Sequence, residues 1–201
     1  MTANGLRGIY EWSARFDDLT AMSAKKAQPN PVAKPERSEV GARIRVLTQA
    51  DRETWIELRR RLWPQHAYDD LAQDADTFLK TEQGGKFWRA TMPATVLLAQ
   101  IASGKIVGFA EADLRPYADG CRSSPVGYVE GWYVLPGERR RGIGRALILS
   151  AEAWARSQGC VEMASDTEFE NVNSQRAHAS LGYEEVDRLV HFRRKLTGPP
   201  E

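Results

Sequence analysis

One stretch of the sequence decides the fold: residues 129–147 read VEGWYVLPGERRRGIGRAL. Its first part is rich in β-branched and aromatic side chains, which predicts a strand over residues 126–135 that ends at Pro136. Its second part predicts a tight loop of arginine and glycine, followed by a helix over residues 142–158. A strand, a basic glycine loop and a helix in this order are typical of a site that binds an anion at the first turn of the helix.

Three features of the loop favour a pyrophosphate as that anion. Gly142 and Gly144 have no Cβ, so a ligand can approach the main chain closely. The first amides of the helix are unpaired donors at the positive end of its dipole, and the arginines at 139–141 add charge beside them. The loop is not a Walker A motif, because no Gly-Lys-Ser/Thr follows, and Leu147 replaces the third small residue of a dinucleotide fingerprint.

The rest of the chain alternates strand and helix patterns around this stretch. Upstream we expect strands at residues 43–47, 94–101 and 105–114, a helix that Thr48 caps, and a second helix over residues 68–82. Downstream we expect a strand at 161–165, a helix at 171–181, and strands at 183–189 and 190–195. This order predicts the α/β class, with helices packed on a mixed sheet.

The first 42 residues differ in composition from the remainder. Residues 21–42 hold three prolines and almost no large apolar side chains, so they cannot bury enough surface to offset the entropy of ordering. We therefore expect residues 1–42 to be an extension or linker, flexible or non-native, and residues 43–201 to form the folded domain.

Composition also excludes several classes of function. The 28 basic and 27 acidic side chains give a net charge of +1, which argues against a dedicated nucleic-acid binder. No apolar run approaches the roughly 20 residues of a membrane span, and the N-terminus has no signal-like apolar run, so we expect a cytoplasmic protein without a membrane partner. The two cysteines, Cys121 and Cys160, form no CxxC motif and have no histidine cluster beside them, so we expect reduced thiols and no metal site.

The motifs resemble those of the GCN5-related N-acetyltransferases (GNAT), whose acetyl-CoA loop has the pattern Gln/Arg-x-x-Gly-x-Gly/Ala that residues 139–144 match. The Tyr-Val-Leu-Pro before the loop and the Leu-Gly-Tyr at residues 181–183 also match the order of that family. The resemblance implies the GNAT fold, a mixed and mostly antiparallel sheet with flanking helices and a V-shaped split between the strands at 126–135 and 161–165. It also implies acetyl-CoA as co-substrate, with no metal. The coenzyme-binding residues that it implies are Trp132, Tyr133, Val134, Arg139, Arg140, Arg141, Gly142, Ile143, Gly144 and Asn171.

Four further segments resemble the aminoglycoside 6′-N-acetyltransferases, a resistance branch of the same superfamily. They are residues 58–66 (LRRRLWPQH), residues 114–126, the Glu130-Gly131 pair and residues 163–167 (MASDT). This resemblance implies acetyl transfer to the 6′-amine of an aminoglycoside antibiotic, giving resistance, by a homodimeric enzyme. The substrate-binding residues that it implies are Trp63, His66, Tyr117, Glu130, Asp166 and Asp187.

Glu130 and Asp166 carry the expected acceptor chemistry. An alkyl ammonium has a pKa of about 10 and must lose a proton before it can attack, so a nearby carboxylate helps. Period two places Glu130 on one strand face with Trp132 and Val134, and Asp166 follows the neighbouring strand, so we expect both carboxylates to be catalytic and to flank the place of reaction. Two structural alternatives to these catalytic roles stay open: Glu130 as a surface residue of the strand, and Asp166 as a turn or N-cap residue.

The expected mechanism is direct attack in a ternary complex. His178 stands where many GNAT enzymes have a tyrosine that protonates the leaving thiolate; it is either a proton donor or a helix packing residue. Two alternatives to the aminoglycoside enzyme stay open. One is a GNAT that acetylates another small polyamine-like amine; the other is a non-catalytic acyl-CoA sensor, which needs residues 139–144 but neither Glu130 nor Asp166.

Overall fold

The computed structural model describes residues 41–80 and 92–195. The expected extension at residues 1–42 lies almost entirely outside this part of the chain, and so does the expected end of the second helix near residue 82. Within the described residues, no helix is both long and apolar enough to cross a membrane.

Five strands and four α-helices make up the described fold. In chain order they are β1 (Ala42–Val46), α1 (Arg52–Leu62), α2 (Tyr68–Leu79), β2 (Ala94–Ile101), β3 (Ile106–Arg115), β4 (Val126–Val134), α3 (Ile143–Ser157), β5 (Met163–Ser165) and α4 (Val172–Ser180). The strands lie side by side in the order β1-β2-β3-β4-β5. The first four pair antiparallel and β5 pairs parallel to β4, which confirms the mixed, mostly antiparallel sheet.

Helices cover both faces of the sheet. On one face α1 and α2 bury Trp55, Ile56 and Phe78 against side chains of β2 and β3 that include Phe109. On the other face α3 buries an apolar stripe that includes Leu147 against the small residues of β3. The predicted cap of the first helix is present as a reciprocal capping box between Thr48 and Asp51, at a 3-10 turn that precedes α1.

The V-shaped split opens between β4 and β5. The two strands pair only through Gly127–Met163, Tyr128–Ala164 and Val129–Ser165, and β4 then continues to Val134 without a β5 partner. A β-bulge lies at the same point, because Glu111 of β3 faces Gly131 whereas Ala112 faces Val129, which leaves Glu130 as the extra residue. A bulge increases local twist, so it helps β4 to diverge from β5.

The two expected C-terminal strands are absent, so that prediction was wrong. Residues 183–195 have no regular secondary structure, and Leu189, Val190 and Phe192 in this segment are exposed. Alternating apolar residues form a strand only where a neighbouring strand provides hydrogen-bond partners for their backbone. The edge strand of the sheet on this side, β5, is only three residues long. The pattern was read correctly as apolar, but within the described residues it has no partner strand.

Candidate active site

The predicted anion loop lies between β4 and α3, at the open side of the split. Gly142 is the N-cap of α3 with φ +78°, a left-handed conformation that favours glycine, and no side chain caps the helix. Ile143 is buried in the core, so its amide rather than its side chain is available to a ligand. The free amides of the first turn, at the positive end of a helix of 15 residues, form a suitable site for an anion.

The three arginines of the loop have different roles. Arg139 Nε donates to the Val134 carbonyl at 2.9 Å, and its guanidinium lies 5.4 Å from the centre of the Tyr133 ring, so it ties the loop to β4. Arg140, with φ +60°, and Arg141 are exposed, and Arg141 pairs with Glu138. Arg139 is therefore held by β4, whereas Arg140 and Arg141 make no contact with β4 that would hold their charge away from a ligand.

Trp132 fixes the distance between β4 and α3. A Cβ on Gly144 would lie 2.8 Å from Trp132 Cζ2, so only glycine allows the first turn of α3 to approach the indole this closely. The same indole makes an edge contact with His178 of α4, with ring centres 5.8 Å apart. The structure thus brings together β4, the first turn of α3 and α4, which are distant in sequence.

His178 has a protein partner at each ring nitrogen. Nδ1 lies 2.8 Å from the Ser174 carbonyl, and Nε2 lies 3.0 Å from Ser165 Oγ. Because a carbonyl only accepts, Nδ1 carries the hydrogen of the neutral ring and Nε2 accepts from the serine hydroxyl. His178 therefore links α4 to the end of β5. Asn171, also expected at the coenzyme, is the N-cap of α4, where its Oδ1 accepts from Ser174 N at 3.1 Å.

Glu130 lies on a different face from the one predicted. Its carboxylate accepts from Arg115 Nε at 3.1 Å, on the side of β3 that also carries Asp113, whereas Trp132 and Val134 pack toward α3. The prediction that these three β4 residues share a face was wrong, because period-two counting fails across the bulge.

Arg115 and Tyr128 connect the two predicted carboxylates. The Arg115 guanidinium lies 3.3 Å from the centre of the Tyr128 ring. Burial, followed by the negative charge of the nearby Asp166 carboxylate, raises the pKa of Tyr128, so its hydroxyl stays protonated. Sequence reasoning missed both residues, although Tyr128 stands two positions before Glu130 on the same strand.

The aromatic candidates separate into two places. The ring of Trp63 lies against Gly131, where a Cβ would be 2.6 Å from Cη2, and it contacts Phe109. His66 makes an edge contact with Trp63 and lines a small hollow with Tyr68. Trp63, at the end of α1, therefore packs against the chain neighbour of Glu130, and His66 lies beside it.

Tyr117, Asp166 and Asp187 share one broad open cleft. Its lining also includes Arg115, Tyr128 and His178, and the Tyr117 hydroxyl donates to Asp119 at 2.8 Å. The hydrogen bond to Asp119 and the charge of that carboxylate raise the pKa of Tyr117. The cleft does not include Trp63 or His66 among its lining residues, and Glu130 joins it through Arg115. Among the described residues, no three His, Cys, Asp or Glu side chains converge as a metal would require.

Comparison with known proteins agrees with this geometry. The sequence profile of the acetyltransferase (GNAT) family matches residues 51–183. The aminoglycoside N(6′)-acetyltransferases type 1 of Klebsiella aerogenes and Stenotrophomonas maltophilia are 41% and 43% identical to this chain. Each alignment covers 76% of this chain, and 96% and 93% of those proteins. The solved structure of AAC(6′)-Iy with the bisubstrate analogue CoA-S-monomethyl-acetylneamine matches with a TM-score of 0.67 and 38% identity, over 76% of this chain and 97% of that one.

Proposed function

Because this chain belongs to the acetyltransferase (GNAT) family, we propose that it transfers the acetyl group of acetyl-CoA to the 6′-amine of an aminoglycoside antibiotic. The observation that carries the proposal is the connection between the acidic cleft and the anion loop: His178 lines the cleft and contacts Trp132, and Trp132 packs against Gly144 in the first turn of α3. Two relatives above 40% identity are named for this reaction.

The coenzyme half of the site suits acetyl-CoA. The amides around Gly142, with Arg140 and Arg141, would hold the diphosphate. The β4 edge beyond Val129 has no β5 partner, so its backbone groups are free to hydrogen-bond the amides of the pantetheine arm, as a further strand would.

The acceptor half suits a polycation. Asp166 and Asp187 are exposed in the cleft, and the half-buried Glu130 pairs with Arg115, which lines the cleft. A charge pair at 4 Å with an effective dielectric of 20 is worth about 4 kcal/mol before desolvation is subtracted. A few such pairs select an aminoglycoside over a neutral sugar, and the exposed Tyr117 offers a face to a sugar ring.

The chemistry we propose is direct attack. The neutral amine attacks the acetyl carbonyl carbon, the carbon–sulfur bond breaks, and the thiolate of CoA leaves. A CoA-type thiol has a pKa of about 8.5, so its anion leaves without an essential general acid, in keeping with the occupied ring nitrogens of His178. Burial raises the pKa of the Cys160 thiol, and burial with the charge of Glu162 raises that of Cys121, which argues against an acyl-enzyme at either residue.

A thiol-release assay tests the proposal. The purified chain with acetyl-CoA should release CoA in the presence of an aminoglycoside that bears a 6′-amine, and not with its matched 6′-hydroxyl analogue. Glu130→Gln and Asp166→Asn should each reduce the rate. Equal rates with both analogues would show that an amine other than the 6′-amine accepts the acetyl group. Tight CoA binding without turnover, unaffected by either substitution, would support the acyl-CoA sensor instead.

Three organisational expectations belong with this proposal. We propose a homodimer, because the exposed apolar side chains of residues 183–195 suit contact with a second copy; sedimentation equilibrium at the mass of one chain would contradict it. We propose that residues 1–40 are dispensable, so their deletion should leave turnover unchanged; the expected boundary at residue 42 lies too far along the chain, because Ala42 already belongs to β1. Consumption of acetyl-CoA fits a cytoplasmic location.

A further inference from the structure

The loop between β3 and β4, residues 116–125, carries Tyr117 into the acidic cleft and contains neither helix nor strand. The Tyr117 side chain is 65% exposed, and its hydroxyl donates to Asp119, which belongs to the same loop. The position of the ring therefore depends on the contacts that hold this β3–β4 loop to the rest of the fold.

Glu162 holds the second half of the β3–β4 loop. One oxygen of its carboxylate, Oε2, accepts hydrogen bonds from Arg122 N at 2.9 Å, from Ser123 N at 2.6 Å and from Ser123 Oγ at 2.5 Å. The main-chain carbonyl of Glu162 accepts from Gly127 N of β4 at 3.1 Å. The backbone of Glu162 is thus fixed to the sheet while its side chain binds the loop.

The chemistry of these hydrogen bonds makes them strong. A carboxylate that accepts from main-chain amides forms charge-assisted bonds, and successive N–H groups form a concave site for an anion. The hydrogen bonds from the Ser123 hydroxyl and from the amides of Arg122 and Ser123 lower the pKa of Glu162. The carboxylate is therefore ionised at neutral pH and keeps all three donors.

The first half of the β3–β4 loop is held by packing. Ala118 is buried against Val126 and Tyr128. Gly120 lies so close to Val186 that a Cβ on the glycine would be 2.6 Å from that side chain. Apolar packing is non-directional, whereas hydrogen bonds fix an orientation. The direction in which the loop leaves the sheet is therefore set by the carboxylate of Glu162.

The short strand β5 connects Glu162 to Asp166. Glu162 immediately precedes β5 and Asp166 immediately follows it. Both residues line the same cleft as Tyr117. One strand thus holds the loop that carries Tyr117 at its first end and presents the carboxylate of Asp166 at its second end.

We propose that Glu162 is a positioning residue for the acceptor, which holds the β3–β4 loop so that the ring of Tyr117 and the carboxylate of Asp166 contact the same aminoglycoside. The inference rests on the proposed function, because it concerns how that substrate is recognised. A sugar ring lies on the face of Tyr117, and an ammonium group of the same molecule pairs with Asp166. Because the loop is ordered before the substrate arrives, binding does not have to supply the free energy of ordering it.

The first test needs no substrate. Hydrogen exchange of the full chain, followed by mass spectrometry, should show slow exchange at the amides of Arg122 and Ser123, and Glu162→Ala should accelerate that exchange by about tenfold or more. Glu170→Ala is the matched control. Its carboxylate lines the same cleft, and in the described part of the chain it makes no hydrogen bond to the β3–β4 loop, so exchange in the loop should stay unchanged. Equal exchange in Glu162→Ala and the unsubstituted chain would overturn the inference.

The second test separates position from charge, because Glu162 also adds a negative charge to the cleft. Glu162→Ala should raise the KM for the aminoglycoside by about tenfold, with the KM for acetyl-CoA within about twofold. Glu162→Gln should restore the KM for the aminoglycoside to within about threefold, because the amide oxygen of glutamine accepts from the same three donors. If Glu162→Gln and Glu162→Ala raise this KM equally, Glu162 acts through its charge and the positioning role is wrong.

Ser123→Ala weakens the hold on the loop and leaves the charge of the cleft unchanged. It removes one of the three donors, so we expect the KM for the aminoglycoside to rise by about two- to threefold. This variant also keeps the inference testable if Glu162→Ala folds poorly. An unchanged KM for the aminoglycoside in Ser123→Ala and in Glu162→Ala would contradict the inference.

A double-mutant cycle tests whether Glu162 acts through Tyr117. Tyr117→Ala together with Glu162→Ala should raise the KM for the aminoglycoside little more than Tyr117→Ala alone, because the position of the loop matters through the ring. Independent effects that multiply would overturn the inference. Absence of thiol release from the unsubstituted chain with every aminoglycoside would overturn the proposed function instead, and hydrogen exchange would still decide whether Glu162 holds the loop.

Discussion

The two proposed halves of the site differ in how they are built. The proposed coenzyme half consists of main chain: a left-handed Gly142, the free amides of α3 and the edge of β4 that lacks a β5 partner. The proposed acceptor half consists of side-chain charge held by long-range contacts, in which Arg115 joins Glu130 to Tyr128, and Asp166 lies near the Tyr128 hydroxyl. Main-chain geometry tolerates few substitutions, whereas a network of charges loses function gradually, so the two halves should respond to mutation differently.

The largest effect is expected from Gly142→Asp. A β-carbon at φ +78° is strained, and a carboxylate at the N-cap of α3 would face the diphosphate of the coenzyme. We expect CoA affinity, measured by isothermal titration calorimetry, to fall by more than about 100-fold. Gly142→Asn is the matched control, because asparagine tolerates the left-handed conformation and carries no charge; it should lose far less. Equal losses would mean that backbone strain rather than charge dominates.

Gly131→Ala tests whether the acceptor half also depends on the backbone at one point. The new Cβ would lie 2.6 Å from Trp63 Cη2, and the indole is held by Phe109 and cannot move freely. We expect the free energy of unfolding to fall by about 1–3 kcal/mol, as measured by urea denaturation. Gly137→Ala, where a Cβ meets no atom within 4 Å, should leave the free energy of unfolding almost unchanged. If the two variants are equally stable, Trp63 has room to shift.

The contrast between a main-chain half and a side-chain half also explains which features could be predicted from the sequence. The anion loop was located to within one residue, because a glycine that needs positive φ and a helix start are local properties that a single segment encodes. Glu130 was identified as a candidate but placed on the wrong face, because the bulge depends on how β4 pairs with β3. Arg115 and Tyr128 were missed because their contacts arise only when β3 and β4 are paired, and the C-terminal strands were wrong because their partner edge is too short.

Asp166→Asn should affect the acceptor and spare the coenzyme. Loss of the carboxylate removes one charge pair with the polycation and the negative charge near the Tyr128 hydroxyl. We expect the KM for the aminoglycoside to rise by about tenfold, equivalent to about 1.4 kcal/mol, with less than a twofold change in the KM for acetyl-CoA. Added salt should narrow the difference between the variant and the unsubstituted enzyme, because both charges are exposed. A matching rise in both KM values would instead indicate a folding role.

Arg141→Ala should affect the KM for acetyl-CoA and spare the KM for the aminoglycoside, and its effect should be the smallest of the four. The guanidinium is exposed and already pairs with Glu138, so its net attraction for a phosphate is that of a screened surface charge, worth about 0.5 kcal/mol. We expect the KM for acetyl-CoA to rise by about two- to threefold, with the KM for the aminoglycoside unchanged, in steady-state assays at low ionic strength. Glu138→Gln frees the same arginine and should lower the KM for acetyl-CoA slightly. A large loss in Arg141→Ala would contradict the main-chain character of the coenzyme half, because that half would then depend on a side-chain charge as the acceptor half does.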